Sequence, residues 1–255
     1  MTTPNSRYAH LTSPQAKAAK EASDLLILPV GALEQHGDGL PLGTDTIRAD
    51  YVADRVAANL GGRAHALPAV PYGVSPHHRN LPGTVSIPPV MFAQLIVQIA
   101  AELADAGWPK LLVVTGHGGN CAALGVAQQE LLATHPHLTF AWTPVSALAA
   151  SANAALAKTE VSGHSGESET AQVLAIAPEL VQRDQLHPGA RKLDDLDARA
   201  RLSRTAKPTL AVTFDEYAAN GVLGDPTTVT PAEGAAILDE VVEKLTAYAE
   251  QLLAL

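Results

Sequence analysis

One cysteine, Cys121, is all the chain contains, so no disulfide can close within it. Aromatic residues are only 4% of the sequence, so the core must be built from aliphatic side chains and helix surfaces. Basic residues are outnumbered: 17 Lys and Arg face 26 Asp and Glu, for a net charge of −9. Nucleic acid and anionic membranes need basic surface, so neither is expected as a partner; the acidity itself serves solubility. No apolar run approaches the roughly 18 residues of a membrane span, and no secretory signal is recognisable in the polar N-terminal stretch. A cytoplasmic location is expected. There is no internal repeat and no low-complexity tract beyond an enrichment in alanine.

What is present is a 47% hydrophobic chain of 255 residues, which excludes disorder and suits one large domain, 1–255. Strands and helices alternate. Apolar runs at 25–30, 64–69, 110–115 and 138–143 read as strands. Helical spacing covers 14–22, 46–60, 90–106, 122–134 and 171–177, and a long helix spans 231–255 with Thr230, Pro231 and Glu233 at its start. Such alternation predicts a mainly parallel sheet in an α/β fold. Residues 72–89 form a long loop. Residues 183–210, with charges of both signs and few large apolar residues, read as a surface excursion or a subunit-contact arm.

Chemistry-bearing residues gather just after the strands. The first cluster is Pro29-Val-Gly-Ala-Leu-Glu-Gln-His-Gly-Asp-Gly-Leu-Pro-Leu-Gly-Thr-Asp-Thr46. It puts Glu34, His36 and Asp45 in a Gly-rich loop past the carboxyl end of a strand, where open α/β sheets bind ligands. Carboxylate and imidazole suit a borderline divalent metal such as Zn²⁺ or Mn²⁺. Glu34 and His36 are two apart, so in extended chain both point to one side and can each serve one of two adjacent ions. Asp45 has two oxygens with which to bridge them; its competing reading is the N-cap of the next helix. A second cluster, Gly116-His-Gly-Gly-Asn120, puts His117 at another strand end and Asn120 at a helix N-cap. Cys121 beside it invites a nucleophile reading, but no activating base is evident and it reads as a packing residue. A third cluster is Ser162-Gly-His-Ser-Gly-Glu-Ser-Glu-Thr170.

Glu34-Gln-His-Gly37, Leu40-Pro-Leu-Gly-Thr-Asp45, Pro82-Gly-Thr84, Gly116-His-Gly-Gly-Asn120, Glu169-Thr170 and Gly221-Val-Leu-Gly-Asp-Pro226 together resemble the creatininase family of metal-dependent amidohydrolases. Within it, the peptidases of the mycofactocin system, which act on a ribosomal peptide precursor, look most similar. The resemblance implies a three-layer α/β/α fold, two divalent ions per chain (Zn, Mn or Fe), hydrolysis of an amide C–N bond in a small molecule or peptide, and a homohexamer. Two metals lower the pKa of a water and polarise the scissile carbonyl.

The resemblance also implies roles residue by residue. Glu34, Asp45 and His117 would hold one ion; His36, Asp45 and Glu169 the other. Glu167 competes with Glu169 for the last place. His164 would be either a proton shuttle to the leaving nitrogen or a hydrogen-bonding brace, with Glu169 beside it in the catalytic set. Ser75 and His78, or the adjacent His77, would contact substrate. Asp225 reads as a turn residue that holds the last helix. Two departures stand out. Creatininases carry a ligating Glu where this chain has Gly119, which speaks against creatinine as substrate. They commonly carry His where it has Gly39, which predicts a wider or less polar mouth. The rival within the enzyme class is a formamide deformylase or lactam hydrolase; the rival outside it is a non-catalytic metal-binding scaffold.

Overall fold

The structure is a computed structural model that describes residues 6–255. In chain order its elements are α1 (Ser13–Ala22), β1 (Leu25–Val30), α2 (Thr44–Asn59), β2 (Ala64–Ala66), α3 (Pro89–Asp105), β3 (Lys110–Thr115), α4 (Cys121–Thr134), β4 (Thr139–Pro144), α5 (Ala150–Leu156), α6 (Glu167–Ile176), α7 (Ala198–Thr205), α8 (Phe214–Tyr217) and α9 (Pro231–Ala254). The four strands form one sheet in the order β2-β1-β3-β4, and every pairing is parallel.

β1 and β3 are buried at all six positions, as continuous apolar strands covered on both faces must be. Alternate residues supply the two sides. Leu25, Ile27, Leu112 and Val114 pack with Val52 and Val56 of α2, Leu174 of α6 and Ile237 and Val241 of α9. Leu26, Leu28, Leu111 and Val113 pack with Phe92 and Ile96 of α3 and Leu124 and Leu131 of α4. Burying one such side chain contributes about 1.5–3 kcal/mol, so these two clusters hold the three α/β/α layers together. Among the described residues, no helix is long and apolar enough to cross a membrane.

Four boundaries differ from expectation, each for a local reason. β2 stops at Ala66 because Pro68 has no N–H for the ladder; Leu67 and Val70 still donate to Ile27 and Pro29 of β1. α2 begins at Thr44, so Asp45 lies within its first turn and is not its N-cap. α6 begins at Glu167, four residues early, which puts Glu167 and Glu169 on a helix. The 183–210 segment is more than a surface excursion: it contains α7 and, through Ala190, Leu196 and Ala200, joins a small apolar cluster with Val161 and Leu223.

The last helix starts as expected. Thr230 Oγ1 accepts from the Glu233 N–H, and the Glu233 carboxylate accepts from the Thr230 N–H. Asp225 Oδ1 accepts from Thr227 N–H at 3.1 Å and makes the turn before it.

Candidate metal centre

Loops after β1 and β3 and the first turns of α2 and α6 deliver their side chains to one point. Close approach there requires Gly116: a Cβ on it would lie 2.0 Å from the Asp45 carbonyl oxygen. Asn120 ties the strand ends together. Its Nδ2 donates to Gly31 O at 2.9 Å and Thr115 Oγ1 at 3.2 Å, while its Oδ1 accepts from Val74 N–H at 2.9 Å. Asn120 was expected to cap α4; its side chain makes no cap bond, because all of its capacity goes into this brace.

His36 and His117 are each fixed through one ring nitrogen, which leaves the other facing carboxylates. His36 Nδ1 donates to the Glu34 carbonyl at 3.1 Å. Its Nε2 faces Glu169 Oε2 at 3.5 Å, Asp45 Oδ1 at 3.6 Å and Glu34 Oε1 at 3.9 Å. His117 Nε2 donates to Val74 O at 3.0 Å, with Ser75 Oγ at 3.2 Å. Its Nδ1 faces Asp45 Oδ2 at 3.1 Å and Glu34 Oε1 at 3.2 Å. Asp45 thus turns one oxygen to each histidine.

Buried polar atoms normally find partners, and an unmet one costs about 1–3 kcal/mol. Here Glu34 Oε2, His36 Nε2, Asp45 Oδ2 and both ring nitrogens of His78 are buried without a well-directed hydrogen bond. Donor atoms of Glu34, His36 and Asp45, and of His36, His164 and Glu169, lie within 4.8 Å of one another. Carboxylate oxygens and imidazole nitrogens at such spacing fit two divalent ions, Zn²⁺ or Mn²⁺ above all.

Without metal, the two histidines of the cluster favour their protonated forms while Asp45 stays charged. Burial opposes a charge on His36, but Asp45, Glu169 and Glu34 outweigh it and lift its pKa to about 9. Burial likewise opposes His117, whose bonds to Asp45 and Glu34 hold it well above the usual histidine range. Burial would raise Asp45, but the charge of His36 and the bond from His117 bring it well down. Glu34 is pushed up, by burial first and then by the Asp45 charge.

His164 stands over this cluster. Its Nε2 donates to the Gln35 carbonyl at 2.6 Å, which leaves Nδ1 bare, 3.5 Å from Glu34 Oε1 and 4.0 Å from Glu169 Oε2. Burial, then the charge of His36, keeps its pKa well below the usual value. Its ring packs 4.2 Å from His36, 4.1 Å from His78 and 5.0 Å from Phe214, which itself lies 4.2 Å from His78. Burial and the neighbouring His77 push His78 down to about 2. Together with Leu156, Ala157 and Ser162, these groups line a cavity of about 500 Å³ that opens onto the cluster.

The structure brings Glu34, His36, Asp45, His117, His164 and Glu169 together. Glu167 also borders the cavity, but its carboxylate is engaged by other partners. Its Oε1 accepts from Thr159 Oγ1 at 2.7 Å and Asp225 N–H at 2.9 Å, and its Oε2 is pressed against Gly224. Of the two expected substrate contacts, His78 lines the cavity, while Ser75 is fully buried behind His117. His77 is also in the lining, with its ring parallel to that of His117 at 5.4 Å.

Gly119 has no room for a side chain: a Cβ would meet Val74 O at 2.2 Å and His117 Nε2 at 2.3 Å. Gly39 does not widen the mouth, because Leu186 fills the space; a Cβ there would lie 2.6 Å from its Cδ2. Cys121 is half-buried, and burial pushes its thiol pKa up, away from nucleophile chemistry.

Several contributors had no role assigned from sequence: three stand inside the quoted motifs and one, Arg48, outside them. Thr84 Oγ1 accepts from the Gln35 N–H at 3.0 Å and so steadies the residue between Glu34 and His36. Leu223 N–H donates to His164 O at 2.9 Å. Ser165, at φ 55, turns its N–H onto Glu169 Oε2 at 2.8 Å. Arg48 is 1% exposed and reaches both Asp45 and Glu169. Its place four residues before Val52 and eight before Val56 puts it on the buried face of α2, a signal the sequence does carry.

The sequence model of the creatininase family, described as creatinine amidohydrolase, matches residues 9–249. A mycofactocin precursor peptide peptidase of Mycolicibacterium smegmatis is 35% identical over 223 residues, covering 86% of this chain and 81% of that one. The crystal structure of a proposed creatinine amidohydrolase from Bacteroides fragilis superposes with a TM-score of 0.86 at 26% identity, covering 98% of this chain and 97% of the other. A Glu-to-Gln mutant of creatininase in its zinc–zinc form gives a TM-score of 0.79 at 26% identity, with 96% and 97% covered.

Proposed function

Because the chain belongs to the creatininase family and is a metal-dependent hydrolase of C–N bonds, we propose that its substrate is a peptide amide, in a modified ribosomal precursor of the mycofactocin type. The observation that carries this reading is the cavity. About 500 Å³ of space over the ligand cluster leaves room for a short stretch of peptide around a scissile bond as well as for a small amide. The likeness to a precursor peptidase over 86% of the chain supports it.

In this reading Glu34, Asp45 and His117 would hold one ion, and His36, Asp45 and Glu169 the other. When bound, two such ions supply an activated water and polarise the carbonyl. The protein's own groups do the rest. Gln35 O fixes His164 with Nδ1 bare toward the cavity, so that nitrogen can accept a proton from the attacking water and return it to the leaving amine, which departs poorly as an anion. His78, neutral and with both ring nitrogens unpartnered, can donate to or accept from the substrate backbone. Phe214 and Leu156 form apolar wall and exclude water. Ser75 acts on substrate only through His117. Homo-oligomeric, hexameric assembly has family likeness as its support, and the mass in solution tests it.

The decisive experiment is a substrate panel with the metal-loaded protein: peptides of several lengths, N-formyl amines, lactams and creatinine. Peptide cleavage with little turnover of the others is expected. Turnover confined to formamides or lactams would move the assignment to a small-molecule amidohydrolase. Inactivity on every amide with two ions bound would leave the reading of a non-catalytic metal-binding scaffold.

A further inference from the structure

Arg48 is the largest fully buried side chain that the proposed chemistry leaves unused. It lies one turn after Asp45 on α2. Nη1 donates to Glu169 Oε1 at 2.7 Å, Gly116 O at 3.3 Å and Asp45 Oδ1 at 3.4 Å, and Nε donates to Gln172 Oε1 at 3.1 Å. One guanidinium therefore joins α2, the end of β3 next to His117, and the first two turns of α6.

A buried charge is a poor way to gain stability. Desolvation consumes most of what the pairing returns, and apolar residues of similar volume often replace such pairs without loss. What Arg48 does provide is direction. It occupies Oε1 of Glu169, while the Ser165 N–H, offered from a left-handed backbone turn, steadies Oε2 from the other side. Oε2 is the oxygen that faces His36 Nε2 at 3.5 Å. With Oε1 engaged, Glu169 can offer the site one oxygen in one orientation and cannot swing to chelate with both. The planar fork matters here, because one nitrogen contacts three acceptors while another holds Gln172; a Lys ammonium is a point charge on a flexible stem and cannot reproduce this.

We infer that Arg48 is a positioning residue: held by Gln172, it locks the Glu169 carboxylate into single-oxygen presentation and thereby sets the affinity and geometry of the ion on the His36 side. This rests on the two-ion reading above. Outer partners of this kind typically change metal affinity by about 10–100-fold.

The test uses Co²⁺ titration of the chelator-stripped full chain, followed by visible absorption, in wild type, Arg48→Met, Arg48→Lys and Gln172→Leu. Arg48→Met keeps volume and removes charge and fork. It should bind the first ion as wild type does, bind the second about 10–100-fold more weakly, and show an altered spectrum for that ion only. Arg48→Lys should restore part of the affinity but not the spectrum. Gln172→Leu should shift the second ion in the same direction by less. In a Glu169→Gln background, Arg48→Met should add nothing further, because its effect passes through Glu169. Two ions bound by Arg48→Met with unchanged affinity and spectrum would overturn the inference. So would equal weakening of both ions, or full additivity with Glu169→Gln, since each marks a merely structural role. Should Arg48→Met fail to fold, Arg48→Lys and Gln172→Leu decide by the same spectral criterion. Wild-type protein that takes up no Co²⁺ would instead count against the two-ion reading itself.

Discussion

Replacing Glu169 by Gln tests both the ligand assignment and the energetics of the buried charges. Glu169 accepts from Arg48 Nη1 at 2.7 Å through one oxygen and from the Ser165 N–H at 2.8 Å through the other. A Gln amide has a single acceptor, so its NH₂ must confront one of these donors. Neutralising one member of a buried ion pair costs about 3–5 kcal/mol. Arg48 would keep Asp45, Gly116 O and Gln172, and the Glu169 side chain is 18% exposed. The low end, about 3 kcal/mol, therefore applies. For a chain of this size a loss of 1 kcal/mol lowers Tm by about 2–4 °C, so the fall should be about 6–12 °C. Calorimetry on the chelated protein measures it without interference from metal. Elemental analysis after reloading and desalting should then find about one ion per chain where two are expected for wild type, the second being held too weakly to survive the desalting. Glu167→Gln is the control. Its carboxylate serves Thr159 and the Asp225 N–H, so it should lose stability but retain both ions. An unchanged Tm in metal-free Glu169→Gln would refute the burial argument; loss of an ion from Glu167→Gln instead would refute the ligand assignment.

Three further outcomes follow from the same geometry. His164→Ala should keep both ions and lose about 10²–10⁴-fold in turnover number, with esters and activated anilides hurt less than ordinary amides; equal losses would point to substrate positioning. Metal uptake should release protons: His36, held at about 9 in the metal-free protein, must give up its Nε2 proton to ligate. Apparent affinity should therefore rise with pH up to about 9, and binding heats near neutral pH should depend on the ionisation heat of the buffer; buffer-independent heats would contradict this. Gly119→Glu, which puts back the carboxylate of creatininases, should gain no creatinine turnover. Its Cβ would collide with Val74 O at 2.2 Å and His117 Nε2 at 2.3 Å, an overpacking cost of about 1–3 kcal/mol; unaltered Tm together with creatinine hydrolysis would show that the loop yields.

Much of this protein is legible in its sequence because the physics involved is local. β1 and β3 can be read to the residue, since strands covered on both faces must be apolar at every position. Glu34, His36, Asp45 and His117 can be read because they stand among glycines just past those strands. The capping box at Thr230 and Glu233 involves residues three apart. Tertiary structure decided what depends on distant chain. Glu169 and Glu167 are told apart only once α6 is known to begin at Glu167, because two helical positions differ by about 200° in direction. Asn120 looks like a helix cap until Gly31 and Val74 arrive to claim its amide. Gly39 promises a wider or less polar mouth, and only the packed structure shows that Leu186 takes up the space beside it. The spacing of Arg48 on α2 can be read, but its partners cannot, because Gly116 and Glu169 lie 68 and 121 positions away in sequence. Local patterning specifies which residues are apolar, capped or glycine-flanked; only the packing of the layers brings together the carboxylates, imidazoles and guanidinium that burial then forces to pair.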